Sequence, residues 1–498
     1  MGVIQRQGIK HSIVNFTGLL LGTASTIFIY SQRETVEAYG LVQYLLSIGI
    51  IGYPLFALAG NTVGVRFFPH FQNKSNGHNG LLPLLMLMCL AGWGISAVIA
   101  VVFWSPISVA LASGSPLLQE YLWMALPLAL FYTLAVVLST YCVNFKRIVV
   151  PSILIDFSLK LFLPLQMVAM WQGWISLQLA LWLLLAHYFL MMIGMVIYLH
   201  ALGEWQWQPR WSFLTPALRA EIGRYAGFGV IAGFALLLAT KADTLMVGTL
   251  ASIKGAGIYA IALNIAAAVE IPGKSLYSAS ASFVARYLAD ENWAEMKNLY
   301  QKVSINLLSA GLLLFGCIWV SAEQLYEFMP NSAEVSKGKY VLLFLCIAKL
   351  VDMTSGLNNQ LVYYSKFYRY SIFSLSLLAA ANISFNLWLI PEWGLAGAAV
   401  ATLLSVTCYN LFNLFLVWRK FRIQPFTRQT PLAAVLSLLA LAAAWFLPSS
   451  GSDLLDIAVR SGTYAVLFAF LVLRFRVSPD INQLWSDLLA RIKKYRQD

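Results

Sequence analysis

The chain is a succession of apolar runs, each long enough to cross a lipid bilayer as a helix. A crossing helix needs about 20 apolar residues, because each residue rises about 1.5 Å and the hydrocarbon core is about 30 Å thick. The chain has 60% hydrophobic residues and a mean hydropathy of +0.73. We therefore expect no part of it to form a soluble domain. The pattern predicts an all-α integral membrane protein with about 14 transmembrane helices. Breaks at charge clusters, Gly/Pro and polar turns place them near 9–30, 39–66, 80–104, 118–144, 149–170, 174–200, 220–247, 254–286, 299–320, 338–365, 369–390, 394–418, 430–447 and 456–475.

Positive charge is divided unevenly between the loops on the two sides of these spans. Of the 33 Lys and Arg residues, 24 fall in one set of alternating loops and the two ends, 4 in the other set and 5 within spans. Cytoplasmic loops of membrane proteins carry the excess of Lys and Arg. The distribution predicts that both termini are cytoplasmic, which requires an even number of spans. The net charge of +12 is therefore attributed to topology, and nucleic acid is not an expected partner.

An internal repeat with an offset of about 220 residues relates the two halves of the chain. Gly40, Pro54 and Arg66 are echoed by Gly257, Pro272 and Arg286, and Tyr141, Phe145 and Arg147 by Tyr363, Phe367 and Arg369. Because six spans is an even number, both copies enter the membrane from the same side. We therefore expect two parallel six-helix repeats plus two C-terminal helices. The predicted parts are 1–204 (N-terminal lobe), 205–424 (C-terminal lobe), 425–476 (helices 13 and 14) and 477–498 (a basic amphipathic cytoplasmic tail).

Signatures of catalysis and nucleotide binding do not occur in the sequence. It contains no GxxxxGK[ST] loop, no HExxH and no GxSxG. The five cysteines lie in apolar runs without CxxC spacing, which indicates neither a disulfide framework nor a zinc site. We expect no enzyme activity, no cofactor and no metal. A secondary transporter is favoured over an ATP-driven one.

Ionisable residues inside the spans are the first candidates for function, because each costs about 2.5–3.5 kcal/mol on insertion scales. Four acids each lie near a lysine, and three of these pairs have the i,i+3 or i,i+4 spacing that lets side chains meet on one helix. The alternative for these pairs is a neutral intrahelical ion pair without a transport role. The four pairs are Asp156 with Lys160, Lys241 with Asp243, Glu270 with Lys274, and Lys349 with Asp352.

Lys241 and Asp243 differ from the other pairs because residues two apart point to different faces of a helix. Each must find a partner elsewhere. Lys241 follows Arg224 by about 25 Å along a helix, so its ammonium group could also snorkel to the periplasmic interface.

Helices 2 and 8 are repeat-related and both carry a proline and a polar face. On helix 8, Glu270, Lys274, Ser278 and Ser282 recur at i+4 steps, and on helix 2 Ser47, Pro54 and Asn61 lead to Arg66. Such stripes are expected to face protein or water. An aqueous cavity between the halves explains both stripes, and polar contacts between packed helices are the alternative.

These features resemble the polysaccharide flippases, especially the O-antigen type, of the multidrug/oligosaccharidyl-lipid/polysaccharide exporter superfamily. The resemblance is carried by the stretch Tyr363 to Arg369, by Pro391 to Thr402, and by the N-terminal segments Arg6 to Lys10, Tyr39-Gly40 and Asn61 to Phe67. It implies two six-helix lobes around a central cavity and alternating access for a polyprenyl-pyrophosphate-linked oligosaccharide in the bacterial inner membrane. Lipopolysaccharide biosynthesis is the implied context. Membrane lipids and the polysaccharide polymerisation machinery are the implied partners, and a monomer also agrees with the sequence.

Such a substrate needs cations for its pyrophosphate and polar groups for its sugar. Lys274, Arg66 and Lys241, with Asn61 and Ser278, are the substrate-binding candidates. Glu270, Asp243, Asp352 and Lys349 are candidates for tuning those cations or carrying coupling protons.

The sequence also departs from its relatives. Lipid II flippases carry arginines on the first helix, whereas this chain offers only Lys10 there. Multidrug exporters often have an acid on helix 1 and usually stop at twelve helices, whereas this helix has Asn15 and no acid. A multidrug/cation antiporter is therefore the second hypothesis. A polysaccharide polymerase or ligase is the third, but the large periplasmic loop typical of that class is missing.

Overall fold

The computed structural model describes residues 3–112 and 115–495, apart from the side chains of residues 3–9, 11–12, 489 and 491–495. Within this part of the chain, every regular element is helical. The predicted cytoplasmic cation Arg6 and the basic residues from Arg491 to Arg496 lie outside the described side chains.

The helices form two compact units, Met1–Ile261 and Ala262–Asp498. The predicted boundary between the two lobes, at residues 204 and 205, is derived from the sequence repeat and not from packing. It stays a prediction. The first unit contains α1 (Val3–Phe28), α2 (Val36–Phe56), α3 (Gly60–Arg66), α4 (Phe68–Phe71), α5 (Leu81–Val102), α6 (Trp104–Ala112), α7 (Pro116–Tyr121), α8 (Ala125–Val143), α9 (Val149–Ser152), α10 (Ser158–Trp171), α11 (Leu177–Ala201), α12 (Pro216–Leu250) and most of α13 (Ile253–Ala266).

The second unit begins inside α13. It continues with a 3₁₀ turn (Ala267–Glu270), α14 (Ile271–Ala289), α15 (Trp293–Val320), α16 (Ala322–Phe328), α17 (Ser332–Val335), α18 (Lys339–Thr354), α19 (Asn358–Tyr364), α20 (Arg369–Phe421), α21 (Gln429–Trp445), α22 (Asp453–Arg474) and α23 (Pro479–Tyr495).

Among the described residues, 10 helical segments are long and apolar enough to cross a membrane. One further pair, Ser332–Thr354 with Asn358–Tyr364, is bent by 52° and would make 11. The apolar helices Ile13–Phe28 and Gln429–Trp445 are shorter. Fourteen crossings would also need both shorter helices to cross and α20 to cross twice, so that number stays a prediction. The chain is a multi-pass, all-helical membrane protein.

The 53 residues of α20 fold back on themselves at Gly394. This residue has φ 56° and ψ −130°, a conformation that is essentially restricted to glycine. Beyond it, Gly397 packs against the carbonyl of Leu389. Those two residues would lie about 12 Å apart in a continuous helix. The reversal falls at the boundary between the predicted spans 369–390 and 394–418 and joins two helical arms.

Each of the repeat-related helices 2 and 8, predicted as one long span, is interrupted in the structure. Between α2 and α3, Leu58 and Ala59 have left-handed backbones with φ 45° and 55°. The break follows Pro54, which cannot donate a backbone hydrogen bond. Between α13 and α14, the 3₁₀ turn ends at Glu270 just before Pro272. Both breaks lie beside predicted functional residues.

The start of α12 carries a helix N-terminal signal in the sequence, Thr215-Pro216. The Thr215 hydroxyl oxygen accepts a hydrogen bond from the Leu218 amide at 3.3 Å, and Pro216 occupies the first helical position. Both arrangements satisfy or remove amide donors that a helix N-terminus leaves without partners. This cap places the arginines of α12 at the beginning of an apolar helix.

Candidate functional site

A carboxylate between two ammonium groups forms the main charged cluster of the second unit. Glu270 sits at the end of the 3₁₀ turn, and its Oε1 lies 3.4 Å from Lys274 Nζ on the next turn of the chain. Lys349 of α18 donates a hydrogen bond to the other carboxylate oxygen of Glu270. Both contacts place opposite charges together, which lowers the cost of holding ions in a membrane.

The two lysines of this cluster differ in accessibility. The Lys274 side chain is 73% exposed, whereas those of Lys349 and Glu270 are 30% and 29% exposed. Lys349 therefore serves as a partly buried anchor for Glu270. Lys274 presents its ammonium group outward, where it can still meet an anion.

Asp352 takes a different partner from the one predicted. Its Oδ1 accepts a hydrogen bond from Asn410 Nδ2 at 3.1 Å, and Asn410 Oδ1 accepts another from Asn358 Nδ2 at 2.9 Å. The predicted intrahelical pairing of Lys349 with Asp352 is therefore wrong: Lys349 turns to Glu270, while Asp352 joins an amide network with α19 and α20. Each group thus has its hydrogen-bonding partner on a neighbouring element instead of on α18.

In the first unit, Arg66 ends α3 and lies over an aromatic ring. Its guanidinium carbon is 4.7 Å from the ring centroid of Tyr225 on α12. Phe67 contacts the same ring edge-on, with 5.8 Å between centroids. Because stacking on a ring face leaves the in-plane N–H donors of guanidinium accessible, Arg66 is oriented and can still bind an anion.

Asp243 finds its partner on the following helix, as the spacing required. Its side chain is buried, and its Oδ2 accepts a hydrogen bond from the Tyr259 hydroxyl at 3.0 Å. Lys241 is half-buried on the same helix, α12. Asp156, in the π-helical turn Ile153–Phe157, accepts a hydrogen bond at 3.0 Å from Ser152 at the end of α9.

The polar stripe on helix 8 is accessible along α14. Lys274, Ser278 and Ser282 are all exposed, whereas Ser280, on another face, is buried. On the first unit, Asn61 is half-buried just after the break, and Ser47 is buried and bonds to the Gln43 carbonyl. The candidates therefore form separate sets, with Glu270, Lys274 and Lys349 together in one unit and Arg66 on Tyr225 in the other.

The partners that escaped sequence reasoning include Tyr225, Tyr259, Asn410 and Lys349 in its role beside Glu270. Asn410 lies in an apolar run, where an amide is itself a signal for a polar partner. Tyr225 follows Arg224 near the membrane interface, where tyrosine is common and gives no distinguishing signal.

The geometry can be compared with known proteins. The sequence profile of the MatE family matches residues 230–388. The probable flippase AglR of Haloferax volcanii is 26% identical over 206 residues, which cover 39% of this chain and 42% of that protein. The match therefore spans less than half of the relative's length.

Two solved structures have a similar fold. The lipid II flippase MurJ, in an inward closed conformation, aligns with a TM-score of 0.69 and 14% identity over 94% of this chain and 99% of its own. A mutant of the Vibrio cholerae MATE transporter VcmN aligns with a TM-score of 0.53 and 13% identity, covering 84% and 96%. The chain shares its fold with these two proteins. At these identities the likeness concerns the fold alone, and the named relatives are transporters and flippases rather than enzymes.

Proposed function

We propose that this chain is a secondary transporter that flips a polyprenyl-pyrophosphate-linked oligosaccharide from the cytoplasmic to the periplasmic leaflet by alternating access. The partial match to a probable flippase and the fold shared with a lipid II flippase support this proposal. The setting we propose is the bacterial inner membrane, with both termini cytoplasmic and an O-antigen type of glycan as cargo. Membrane lipids and the polysaccharide polymerisation machinery are the proposed partners.

The exposed ammonium group of Lys274 is the observation that carries the proposal. A pyrophosphate carries several negative oxygens. It is best bound by cations whose charge is not fully neutralised by protein carboxylates. Lys274 contacts a single oxygen of Glu270, whose second oxygen is taken by Lys349. This sharing lets Lys274 exchange the carboxylate for a phosphate without leaving Glu270 alone in the membrane. Glu270, in turn, becomes the group through which Lys349 tunes the binding cation.

Deletion of the gene gives the most direct test of the class. A flippase deletion should leave the lipid-linked oligosaccharide on the cytoplasmic face, where a periplasmic glycosidase or ligase cannot reach it. Normal surface polysaccharide in the deletion strain would contradict the proposal. Altered resistance to cationic drugs with normal surface glycans would instead support the multidrug antiporter.

A substitution at Lys274 tests the site. Lys274→Gln should abolish complementation of the deletion while the protein remains in the membrane at its normal level. Lys297→Gln is the matched control, because it removes an exposed lysine of α15. Loss of the Lys274 variant from the membrane would support a structural ion pair, and full complementation would remove Lys274 from the binding site.

A further inference from the structure

The first unit contains an apolar cavity of about 510 Å³ beside α12. One wall is α5, with Leu84 and Met88, and Leu58 of the helix-2 break contributes to the lining. The other wall is a face of α12 that includes Ile222, Ala226 and Val230. Among its lining residues, Arg219 carries the only charge. The cavity is thus an apolar groove with a cation near the beginning of α12.

Glycines keep this groove open. A Cβ atom added at Gly223 or Gly227, both lining residues, would meet no atom within 4 Å. Gly229 and Gly233 of the same helix behave differently, because their faces pack against Ala59 and Pro54. Gly223 and Gly227 thus face open space, whereas Gly229 and Gly233 face neighbouring residues.

The dimensions of the groove match one leaflet. Along α12, Arg219 and Val230 are separated by about 16 Å, at about 1.5 Å per residue. That is about half the thickness of the hydrocarbon core. An acyl chain that begins at a headgroup beside Arg219 would therefore end near the middle of the membrane. A polyprenyl chain is much longer than this groove.

The charge of Arg219, at the end of the groove near the beginning of α12, determines which lipid headgroup fits. Arg219 is exposed, and one of its terminal nitrogens donates a hydrogen bond to the Trp211 carbonyl at 3.3 Å. A guanidinium group has five N–H donors, so this bond positions the group and leaves donors for a phosphate. One cation balances the single charge of a phosphodiester, whereas a pyrophosphate carries more charge.

A second groove supplies an internal comparison. It measures about 200 Å³ and is lined by α5, α8 and α11, with Trp205 and Trp207 at its edge. Its lining residues carry no charge. This groove offers apolar contact without recognition of a headgroup, as expected for bulk lipid.

We propose that the groove beside α12 is a binding site for one anionic phospholipid, with its phosphate on Arg219 and one acyl chain between α5 and α12. The lining contains none of the cations assigned to the transported substrate, and the proposal does not depend on the identity of that substrate. The proposed occupant is a membrane phospholipid of the leaflet that faces the Lys- and Arg-rich loops.

Lipid retention tests this proposal. The full chain, purified in mild detergent, is analysed by mass spectrometry for bound phosphatidylglycerol and phosphatidylethanolamine. The wild type should retain phosphatidylglycerol preferentially, and Arg219→Gln should reduce that retention about ten-fold, the loss expected for a charged hydrogen bond. Arg224→Gln, on the same helix but outside the lining, should behave like the wild type.

Filling the groove gives a second, independent arm. Gly227→Leu places a side chain in the open space and raises helix propensity, so the protein should fold and retain less phosphatidylglycerol. Gly462→Leu is the control, because a Cβ there also meets no atom within 4 Å, but on α22. Equal retention in the Gly227 and Gly462 variants would overturn the proposal.

A competition experiment distinguishes a bound phospholipid from the polyprenyl carrier of the transported substrate. Polyprenyl phosphate added to the lipid-loaded protein should fail to displace phosphatidylglycerol. Its displacement by polyprenyl phosphate would assign the groove to the substrate carrier and overturn the proposal. Equal retention of both phospholipids by the wild type would also overturn it, because only bulk lipid would then be bound.

Discussion

Gly40 of α2 and Gly257 of α13 pack against each other's helices in a reciprocal way. A Cβ atom at Gly40 would overlap the carbonyl oxygen of Ile253, and one at Gly257 would overlap the carbonyl oxygen of Val36. The predicted repeat aligns these two glycines, and reciprocal contacts of this kind arise where a two-fold axis passes between equivalent surfaces. The contact therefore agrees with the predicted equivalence of Gly40 and Gly257 in the repeat.

Substituting either glycine by alanine should force α2 and α13 apart. Overpacking of a tight interface costs about 1–3 kcal/mol, so Gly40→Ala and Gly257→Ala should each lower the thermal unfolding midpoint of the purified protein. Gly94→Ala, where a Cβ meets no atom within 4 Å, should leave the midpoint unchanged or raise it. Equal midpoints for all three variants would contradict the close contact.

Removing the Glu270 carboxylate should destabilise the protein more than removing one of its lysines. Glu270→Gln leaves two neighbouring ammonium groups without their anion, at a cost of about 1–3 kcal/mol or more. Adding Lys349→Gln should recover part of that loss, because one of the two ammonium groups is then removed. Thermal unfolding of the two single variants and the double variant measures this coupling, and additive losses would exclude a direct pair.

Tyr225 should support Arg66 through its ring rather than its hydroxyl. Tyr225→Phe preserves the ring and should keep transport within about two-fold of the wild type, whereas Tyr225→Leu should reduce it several-fold, since a cation–π contact contributes about 0.5–1 kcal/mol. Arg66→Gln should reduce transport further if Arg66 binds phosphate. Similar activity in the leucine and phenylalanine variants would show that stacking is irrelevant.

A buried histidine joins the loop before α5 to the segment between α11 and α12. His78 is 3% exposed, and its Nε2 lies 3.0 Å from Glu204 Oε2, while Lys74 Nζ lies 3.1 Å from Oε1. Glu204→Ala should cost about 1–3 kcal/mol of stability, because a buried ring nitrogen loses its partner. Lys74→Ala should change stability by about 0.5 kcal/mol or less, because that lysine is largely exposed. Comparing thermal midpoints tests this order, and the reverse order would contradict it.

Local features of the fold could be predicted because they depend on residues near one another in the sequence. The Thr215-Pro216 helix start, the turn around Gly394 and the Glu270–Lys274 contact all involve residues no more than four or five positions apart. Hydropathy likewise located the apolar helices. The requirement that Asp243 find a partner outside its own pair also followed from helix geometry, although the partner itself did not.

Contacts between helices could not be predicted from one sequence. The pairing of Lys349 with Glu270 and the stacking of Arg66 on Tyr225 each join elements that are far apart in the sequence. Both contacts depend on how those elements are rotated and aligned against each other. Hydropathy is nearly uniform across these helices, so it does not define which face meets which neighbour. Glycine spacing has the same limitation, since Gly223 and Gly227 on an open face are spaced like Gly229 and Gly233 on a packed one.

The reversal at Gly394 has a consequence for how the protein enters the membrane. The turn at Gly394 has very few residues outside helical conformation. So short a connection is not expected to extend into water after the first arm has inserted and before the second arm inserts. The two arms of α20 should therefore insert together as one helical hairpin. A reporter domain or protease site placed at this turn should block insertion of both arms, rather than simply mark a side of the membrane.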